Sequence, residues 1–123
     1  MKVKRINYPT DLSIIKDKED DNIDVFVELE DGSSITLVIS TPNNLLSQME
    51  GEQLNYMFAP MPDIIVKSLT PVNIQEAIEM YAEKDAFWMK VLFAISIDRN
   101  VINMDRINEF FQEIKHLNND LIK

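Results

Sequence analysis

Two neighbouring segments of the chain alternate between apolar and polar positions. The apolar positions are Ile23, Val25, Val27 and Leu29 in the first segment and Ile35, Leu37 and Ile39 in the second. Because successive side chains of a strand point to opposite faces, this period of two predicts two strands, each with one buried face. The polar stretch between them contains Asp31-Gly32, which predicts a β-hairpin over about residues 23–40.

The length of the hairpin loop follows from keeping the two apolar sets on one face. A two-residue Asp31-Gly32 turn would pair Val27 with Thr36 and place the sets on opposite faces. A three-residue loop over residues 30–32 instead pairs Val27 with Ile35, and the apolar sets stay together. We therefore predict the three-residue loop, with Gly32 in the left-handed position of a bulged turn.

The segments around the hairpin predict further strands and two helix starts. We interpret residues 2–8 and 12–16 as short strands, residues 53–62 as a loop and residues 63–68 as a buried strand. Thr41-Pro42 and Thr70-Pro71 each combine a side chain that caps a helix with a proline that suits its first position. The helix that begins at Pro42 is expected to end at Gly51.

The C-terminal third predicts two more helices. Residues 86–97 are apolar nearly all round, which indicates a buried helix with Phe87, Trp88 and Phe93 at the centre of the core. Residues 104–121 carry one apolar stripe, formed by Ile107, Phe110, Phe111, Ile114, Leu117 and Leu121. Strands followed by helices predict the α+β class, with an antiparallel sheet centred on the hairpin and packed against three or four helices. The length suits one domain over residues 1–123.

Acidic and basic residues are distributed unevenly along the chain. Residues 19–66 contain ten Asp or Glu and no Lys or Arg, whereas the remainder contains 11 acidic and 12 basic residues. The net charge of −9 therefore comes from one contiguous part of the sequence. Such acids keep a small domain in solution, and a surface of one sign also steers a partner of the opposite charge. We expect no binding to nucleic acid or to anionic membranes, since both need basic patches.

Phe26 occupies a polar position of the predicted hairpin. In the predicted register it points away from Val25 and Val27, among acidic and small side chains. Either another element covers this second face, or Phe26 is an aromatic anchor inside an acidic rim, a common composition for a binding hot spot. The candidate partner-binding residues are Asp20, Asp21, Asp24, Phe26, Glu28, Glu30 and Asp31.

Residue types that most enzymes and metal sites need are scarce. The chain has no Cys, two Gly and one His, which excludes thiolate metal sites, glycine-rich phosphate loops and the HExxH motif. Asp20, Asn22, Asp24, Glu28 and Asp31 have the spacing of an EF-hand loop, but Val25 stands where that loop requires Gly. The position of His116 near the end of the last predicted helix suits the helix dipole. We therefore expect a non-enzymatic protein that needs no metal and no cofactor.

Three segments resemble small bacterial proteins, the immunity proteins of polymorphic toxin and contact-dependent growth inhibition systems. They are FVELEDG (26–32), TPNNLL (41–46) and MPDIIVKSLT (61–70), and the resemblance covers about residues 20–90. The features that these segments share with that family are a hairpin turn and two Thr-Pro helix starts. The resemblance implies a cytoplasmic inhibitor that binds and blocks a cognate toxin domain. Such toxins are often basic nucleases, a kind of partner that the acidic segment suits independently.

Other functions stay open at this point. A structural or regulatory adaptor could dock through the last helix or form a homodimer, and a nucleic-acid mimic could block a DNA-binding protein. An inhibitor is expected to be a monomer, with a homodimer as the alternative. A cytoplasmic location is expected, because the N-terminus lacks the apolar run of a signal peptide. The apolar stretch over residues 86–97 is also too short to span a bilayer.

Overall fold

The computed structural model describes residues 1–59 and 63–122. Part of the predicted loop over residues 53–62, and the first two residues of the segment MPDIIVKSLT, lie outside this description. The strands are β1 (Val3–Asn7), β2 (Asn22–Leu29), β3 (Ser34–Ser40) and β4 (Asp63–Ile65). The α-helices are α1 (Pro42–Gly51), α2 (Pro71–Tyr81), α3 (Glu83–Ile97) and α4 (Met104–Ile122). The predicted α+β class is confirmed.

The hairpin has the predicted register and loop. Val27 pairs with Ile35, and Val25 pairs with Leu37. The backbone N–H of Gly32 donates to the carbonyl oxygen of Leu29 at 3.0 Å, and Gly32 has a φ of +90°. A residue with a Cβ rarely adopts this backbone conformation, so glycine suits the position for conformational reasons.

The sheet is mixed, and not antiparallel throughout as expected. Its strand order is β1-β2-β3-β4, and β4 runs parallel to β3. A parallel neighbour requires a crossover connection, and α1 supplies it directly after β3. The N-cap of α1 is Thr41, whose hydroxyl accepts a hydrogen bond from the Asn44 N–H at 3.3 Å. The capped helix turns the chain away from the sheet at the point where a hairpin would otherwise continue the antiparallel pattern.

The N-terminal part of the chain contributes one strand, not two. Residues 12–16 do not form the predicted strand, because Leu12–Ile14 form a short 3₁₀ turn. The Asp11 carboxylate caps this turn by accepting a hydrogen bond from the Ser13 N–H at 2.9 Å. The strand β1 is an edge of the sheet, and its register against β2 shifts between Val3 and Arg5. A β-bulge therefore lies at Lys4.

One face of the sheet forms the hydrophobic core together with α2. Val25, Leu29 and Leu37 of the hairpin are fully buried, as are Ile74 and Ile78 of α2. The N-cap of α2 is Thr70, as predicted, and the helix therefore begins where its apolar stripe can meet the sheet. Burying one Leu or Ile side chain contributes about 1.5–3 kcal/mol, so this layer is the main source of stability.

The helix α3 differs from the buried helix that its composition predicts. Trp88 is 61% exposed and Phe87 is 55% exposed, so the prediction that they form the centre of the core is wrong. Lys84, Asp85 and Ala86 have φ values of 53°, 64° and 54°, all in the left-handed region. This reversed turn brings Ala86 and Met89 into the core and leaves Phe87 and Trp88 outside it. Left-handed backbone costs about 1–2 kcal/mol for each residue with a Cβ.

The helix α4 has the predicted position and the predicted apolar stripe, but the stripe is not part of the core. Phe110 and Phe111 are 56% and 60% exposed, and Leu117 and Leu121 are also exposed. The prediction left open whether three or four helices pack on the sheet, and α4 contributes no described residue to the core. The layer that covers the sheet consists of α2 and the buried residues of α3.

The core can be tested with two matched substitutions. Leu37→Ala is expected to lower the free energy of unfolding by about 2–5 kcal/mol, because it leaves a cavity beside fully buried neighbours. Leu46 lies on α1 and is 51% exposed, so Leu46→Ala is expected to cost about 0.5 kcal/mol or less. Urea unfolding followed by circular dichroism measures both. Equal losses would contradict the placement of Leu37 in the core.

Candidate functional site

The second face of the hairpin is exposed and carries acidic and apolar side chains. Strand register places the side chains of neighbouring strands in rows across this face, because directly paired residues point to the same side. We call it the acidic sheet face. Its central residues are Asp24, Phe26 and Glu28 of β2, Thr36 and Val38 of β3, and Asp63 of β4.

Phe26 lies in the middle row of the acidic sheet face. It pairs with Asn7 of β1 on one side and with Thr36 of β3 on the other. Its side chain is 46% exposed, so no element covers it in the part of the chain that the structure describes. Between the two interpretations that the sequence leaves open for Phe26, the structure favours an aromatic side chain available to a partner.

The adjacent row holds two carboxylates on either side of an apolar residue. Val38 pairs with Asp24 on β2 and with Asp63 on β4. Partial burial raises the pKa of Asp63, and the negative charge of Asp24 raises it further. The Ser40 hydroxyl, 3.4 Å from Asp63 Oδ2, acts in the opposite direction. A carboxylate whose ionisation is disfavoured by a neighbouring negative charge gains from a cation placed nearby.

Glu28 lies at the other end of the exposed face and has a basic neighbour on β1. Its Oε1 atom is 3.5 Å from Lys4 Nζ, and the Lys4 side chain is largely exposed. An exposed ion pair of this kind contributes between 0 and about 1 kcal/mol. Glu28 can therefore exchange Lys4 for a basic side chain of a partner at little cost.

Asp20 and Asp21 lie beyond the first residue of β2. The Asp20 carboxylate accepts a hydrogen bond from the Ser47 hydroxyl of α1 at 3.1 Å. The Asp21 carboxylate accepts one from the Asn22 N–H at 2.7 Å. Both carboxylates extend the acidic surface from the sheet toward α1.

Glu30 and Asp31 lie in the hairpin loop, at the opposite end of β2. Glu30 Oε1 accepts a hydrogen bond from the Lys2 N–H at 3.1 Å. Asp31 Oδ2 is 2.8 Å from Lys90 Nζ of α3, and its Oδ1 accepts a hydrogen bond from the Ser33 N–H at 2.9 Å. These hydrogen bonds, the one from Lys90 first, hold the pKa of Asp31 far below its usual range.

The seven candidate residues therefore do not form one cluster. An eight-residue strand is about 25 Å long, and β2 separates Asp20 and Asp21 from the loop residues Glu30 and Asp31. Asp31 is engaged with α3, on the side of the sheet that faces the core layer. Asp24, Phe26 and Glu28 are the candidates that share the exposed face.

Asp63 belongs to this face, although sequence analysis did not include it in the candidate set. Its place depends on the parallel pairing of β4 with β3, which no local pattern encodes. Ile64 packs against the core, and Asp63 and Ile65 point to the other side.

A shallow apolar cleft borders the acidic sheet face at β4. It has a volume of about 300 Å³ and is lined by Leu45 and Met49 of α1, Met57, Ala59, and Asp63 and Ile65 of β4. The helix α1 thus flanks the exposed face on the side opposite to β1. The acidic sheet face is a shallow surface between a helix and an edge strand, a shape that suits a protein partner.

Across residues 1–59 and 63–122, no group of three or more His, Asp or Glu side chains has the geometry to hold a metal ion. The segment with EF-hand spacing is the continuous strand β2, which is not a cation-binding loop. Among the same residues, no helix combines the length and the apolar character that crossing a bilayer requires.

The raised pKa of Asp63 predicts how its removal changes stability with pH. Asp63→Asn is expected to increase the free energy of unfolding at neutral pH, because the folded protein disfavours the ionised carboxylate. The gain should vanish below the ordinary carboxyl pKa of 3.8, where Asp63 is protonated in both states. Between pH 3.8 and neutral pH, the gain in the free energy of unfolding grows as the pH rises through the pKa of Asp63 in the folded protein.

Urea unfolding of both proteins between acidic and neutral pH measures this difference. Asn keeps an oxygen that can accept the Ser40 hydrogen bond, so the comparison isolates the charge. Glu113→Gln, on an exposed position of α4, provides the control and should show no comparable pH-dependent gain. A gain for Asp63→Asn that is independent of pH would contradict the electrostatic explanation.

No protein-family model matches the chain, and comparisons with curated proteins and with solved structures found no match.

Proposed function

We propose that this protein is an immunity-type inhibitor that binds a cognate toxin domain through the acidic sheet face. The observation that carries the proposal is the exposed Phe26 between carboxylates on an uncovered sheet surface. An aromatic side chain surrounded by charged side chains is a common composition for the centre of a protein interface. The partner is a basic, nuclease-like domain, and the inhibitor acts by occlusion without catalysis.

Phe26 supplies the apolar contact of the proposed interface. Its neighbours Thr36 and Val38 are small enough to leave the ring accessible from above the sheet. A partner pocket that closes over the ring would remove most of its remaining exposed surface from water. Aromatic hot spots of this kind contribute about 2 kcal/mol or more to binding.

The carboxylates supply the electrostatic part. Asp24 and Asp63 flank Val38 in one row, and Glu28 lies along the same strand. In the complex, Lys and Arg side chains that hold phosphates in a nuclease would contact carboxylates instead of phosphates. Close, desolvated charge pairs across an interface couple by about 1.5–7 kcal/mol, whereas exposed rim pairs act mainly on the association rate.

The charge distribution of the whole chain supports the same surface. Ten acidic residues and no Lys or Arg lie between positions 19 and 66. Asp20 and Asp21 extend the negative surface toward α1, beyond the centre of the face. Such an extended field raises association rates at low ionic strength and loses its effect as salt screens it.

We expect a toxin domain to be encoded beside this gene, and co-expression with that domain tests the proposal directly. The protein is expected to restore growth, and Phe26→Ala is expected to reduce the rescue because the anchor of the interface is lost. Phe111 is 60% exposed and lies on α4, outside the acidic sheet face, so Phe111→Ala should rescue like the unchanged protein. Growth that stays arrested with the unchanged protein would refute the proposed function.

The electrostatic part has a separate test in association kinetics. The double variant Asp24→Lys and Glu28→Lys is expected to slow association with the purified toxin domain at least about tenfold at low salt. The control is Glu76→Lys with Glu79→Lys, which makes the same change of charge on exposed positions of α2. Stopped-flow measurements over a range of salt compare the two. Equal slowing would mean that net charge, and not the acidic sheet face, guides the encounter.

A further inference from the structure

The helix α4 has the residue spacing of a helix that packs against other helices. Ile107, Phe110, Ile114, Leu117 and Leu121 follow one another at intervals of three and four residues, which is the a/d pattern of a heptad repeat. Between Asp105 and Asn119, the b, c and f positions of this repeat are all polar. The pattern therefore indicates one face that is made to be buried.

The exposed stripe of α4 is wider than the seam between two helices. Met104 and Phe111 occupy e positions, beside the a and d residues, and both are about 60% exposed. A stripe of a, d and e positions is typical of a helix that lies in a groove between other helices, whereas a two-stranded coiled coil uses the a and d positions alone. The surface that covers this face of α4 should therefore be a groove between helices.

The junction of α2 and α3 forms such a groove. It has a volume of about 430 Å³, and its lining residues are Met80, Tyr81, Glu83, Lys84, Phe87 and Trp88. Met80 is 69% exposed, and the rings of Phe87 and Trp88 meet edge to face at 5.2 Å. Phe110 and Phe111 of α4 form a similar edge-to-face pair at 6.3 Å. Two apolar surfaces of matching character therefore exist on one chain.

The connection between α3 and α4 favours contact between different molecules. It forms a 3₁₀ turn over Arg99–Val101, in which the Asp98 carboxylate accepts a hydrogen bond from the Asn100 N–H at 2.9 Å. The Asn103 side chain accepts one from the Arg106 N–H at 3.2 Å, in the first turn of α4. This ordered connection holds α4 in an arrangement in which the stripe stays exposed. Because α4 does not fold back onto its own chain, its exposed stripe is available to a second copy.

The amount of apolar surface fits a stable dimer. A large apolar side chain that is more than half exposed leaves on the order of 100 Å² in water. The side chains concerned are Met80, Phe87, Trp88, Met104, Phe110, Phe111, Leu117 and Leu121. Together they expose about 800 Å² per chain, which is what each partner contributes to a standard specific interface.

Charge also permits two copies to meet through this region. Residues 80–122 contain seven acidic and five basic residues, so this part of the chain is close to neutral. The strong negative charge lies elsewhere, between residues 19 and 66. Two identical chains can therefore bring their α3 and α4 regions together without opposing their most acidic surfaces.

We propose that two copies of this chain form a symmetric dimer in which α4 of each copy lies in the α2–α3 groove of the other. The two contacts are equivalent, as a twofold axis requires. The dimer departs from the monomer that the sequence led us to expect for an inhibitor. It leaves Phe26 and the acidic sheet face free, so it does not depend on the proposed function.

Trp88 allows the proposal to be tested on the unchanged protein. It is the single tryptophan of the chain, and dimer formation should bury it. Sedimentation is expected to give twice the mass of one chain, and the Trp88 emission should shift to shorter wavelength as the concentration rises. A monomer at every concentration would overturn the proposal. A dimer with unchanged Trp88 emission would overturn it too, as would a shift that is independent of concentration.

Paired substitutions on α4 separate the stripe from the rest of the helix. Phe110→Glu with Leu117→Glu is expected to abolish both the doubled mass and the shift in Trp88 emission. Gln112→Glu with Asn119→Glu has the same spacing on the polar side of α4 and should leave both unchanged. Circular dichroism confirms that each variant is folded. If the two double variants dimerise equally, α4 does not occupy the groove.

Discussion

The alternation of side chains along β2 and β3 constrains the rest of the structure. Because Val25 and Leu37 must lie in the core, their neighbours Asp24, Phe26 and Thr36 must lie on the other face. A slip of one residue in the register would bury the carboxylates and expose the apolar set, at a cost of several kcal/mol for each buried charge. The core and the acidic sheet face are thus two results of one register.

Sequence patterns were sufficient where a structure depends on neighbouring residues. The register of the hairpin, the left-handed Gly32 and the caps at Thr41 and Thr70 are all local, and the structure confirms them. Residues 12–16 show the limit of such patterns, because a short apolar run fits a strand as well as a turn. There the hydrogen bonds of Asp11 decided the outcome.

Features that depend on contacts between distant parts of the chain could not be predicted. The parallel pairing of β4 follows from the crossover through α1, and it alone brings Asp63 beside Asp24. Asp31 resembles the other loop acids in sequence, but Lys90 lies 59 positions away and engages it. Trp88 is exposed because the reversed turn at its N-terminal side changes which face of α3 meets the sheet. The sequence therefore predicted most of the helices and strands, but only part of the way in which they pack together.

The bulge at Lys4 has a consequence for how this protein can be recognised. An edge strand offers free backbone groups to any extended peptide, and a bulge with charged side chains is a common way to prevent such pairing. Lys4 and Arg5 place two positive charges at that position of β1. This edge of the sheet is thereby protected against lengthening by foreign strands and against stacking edge to edge into fibrils. At this edge, side chains, and not backbone hydrogen bonds, determine which partners fit.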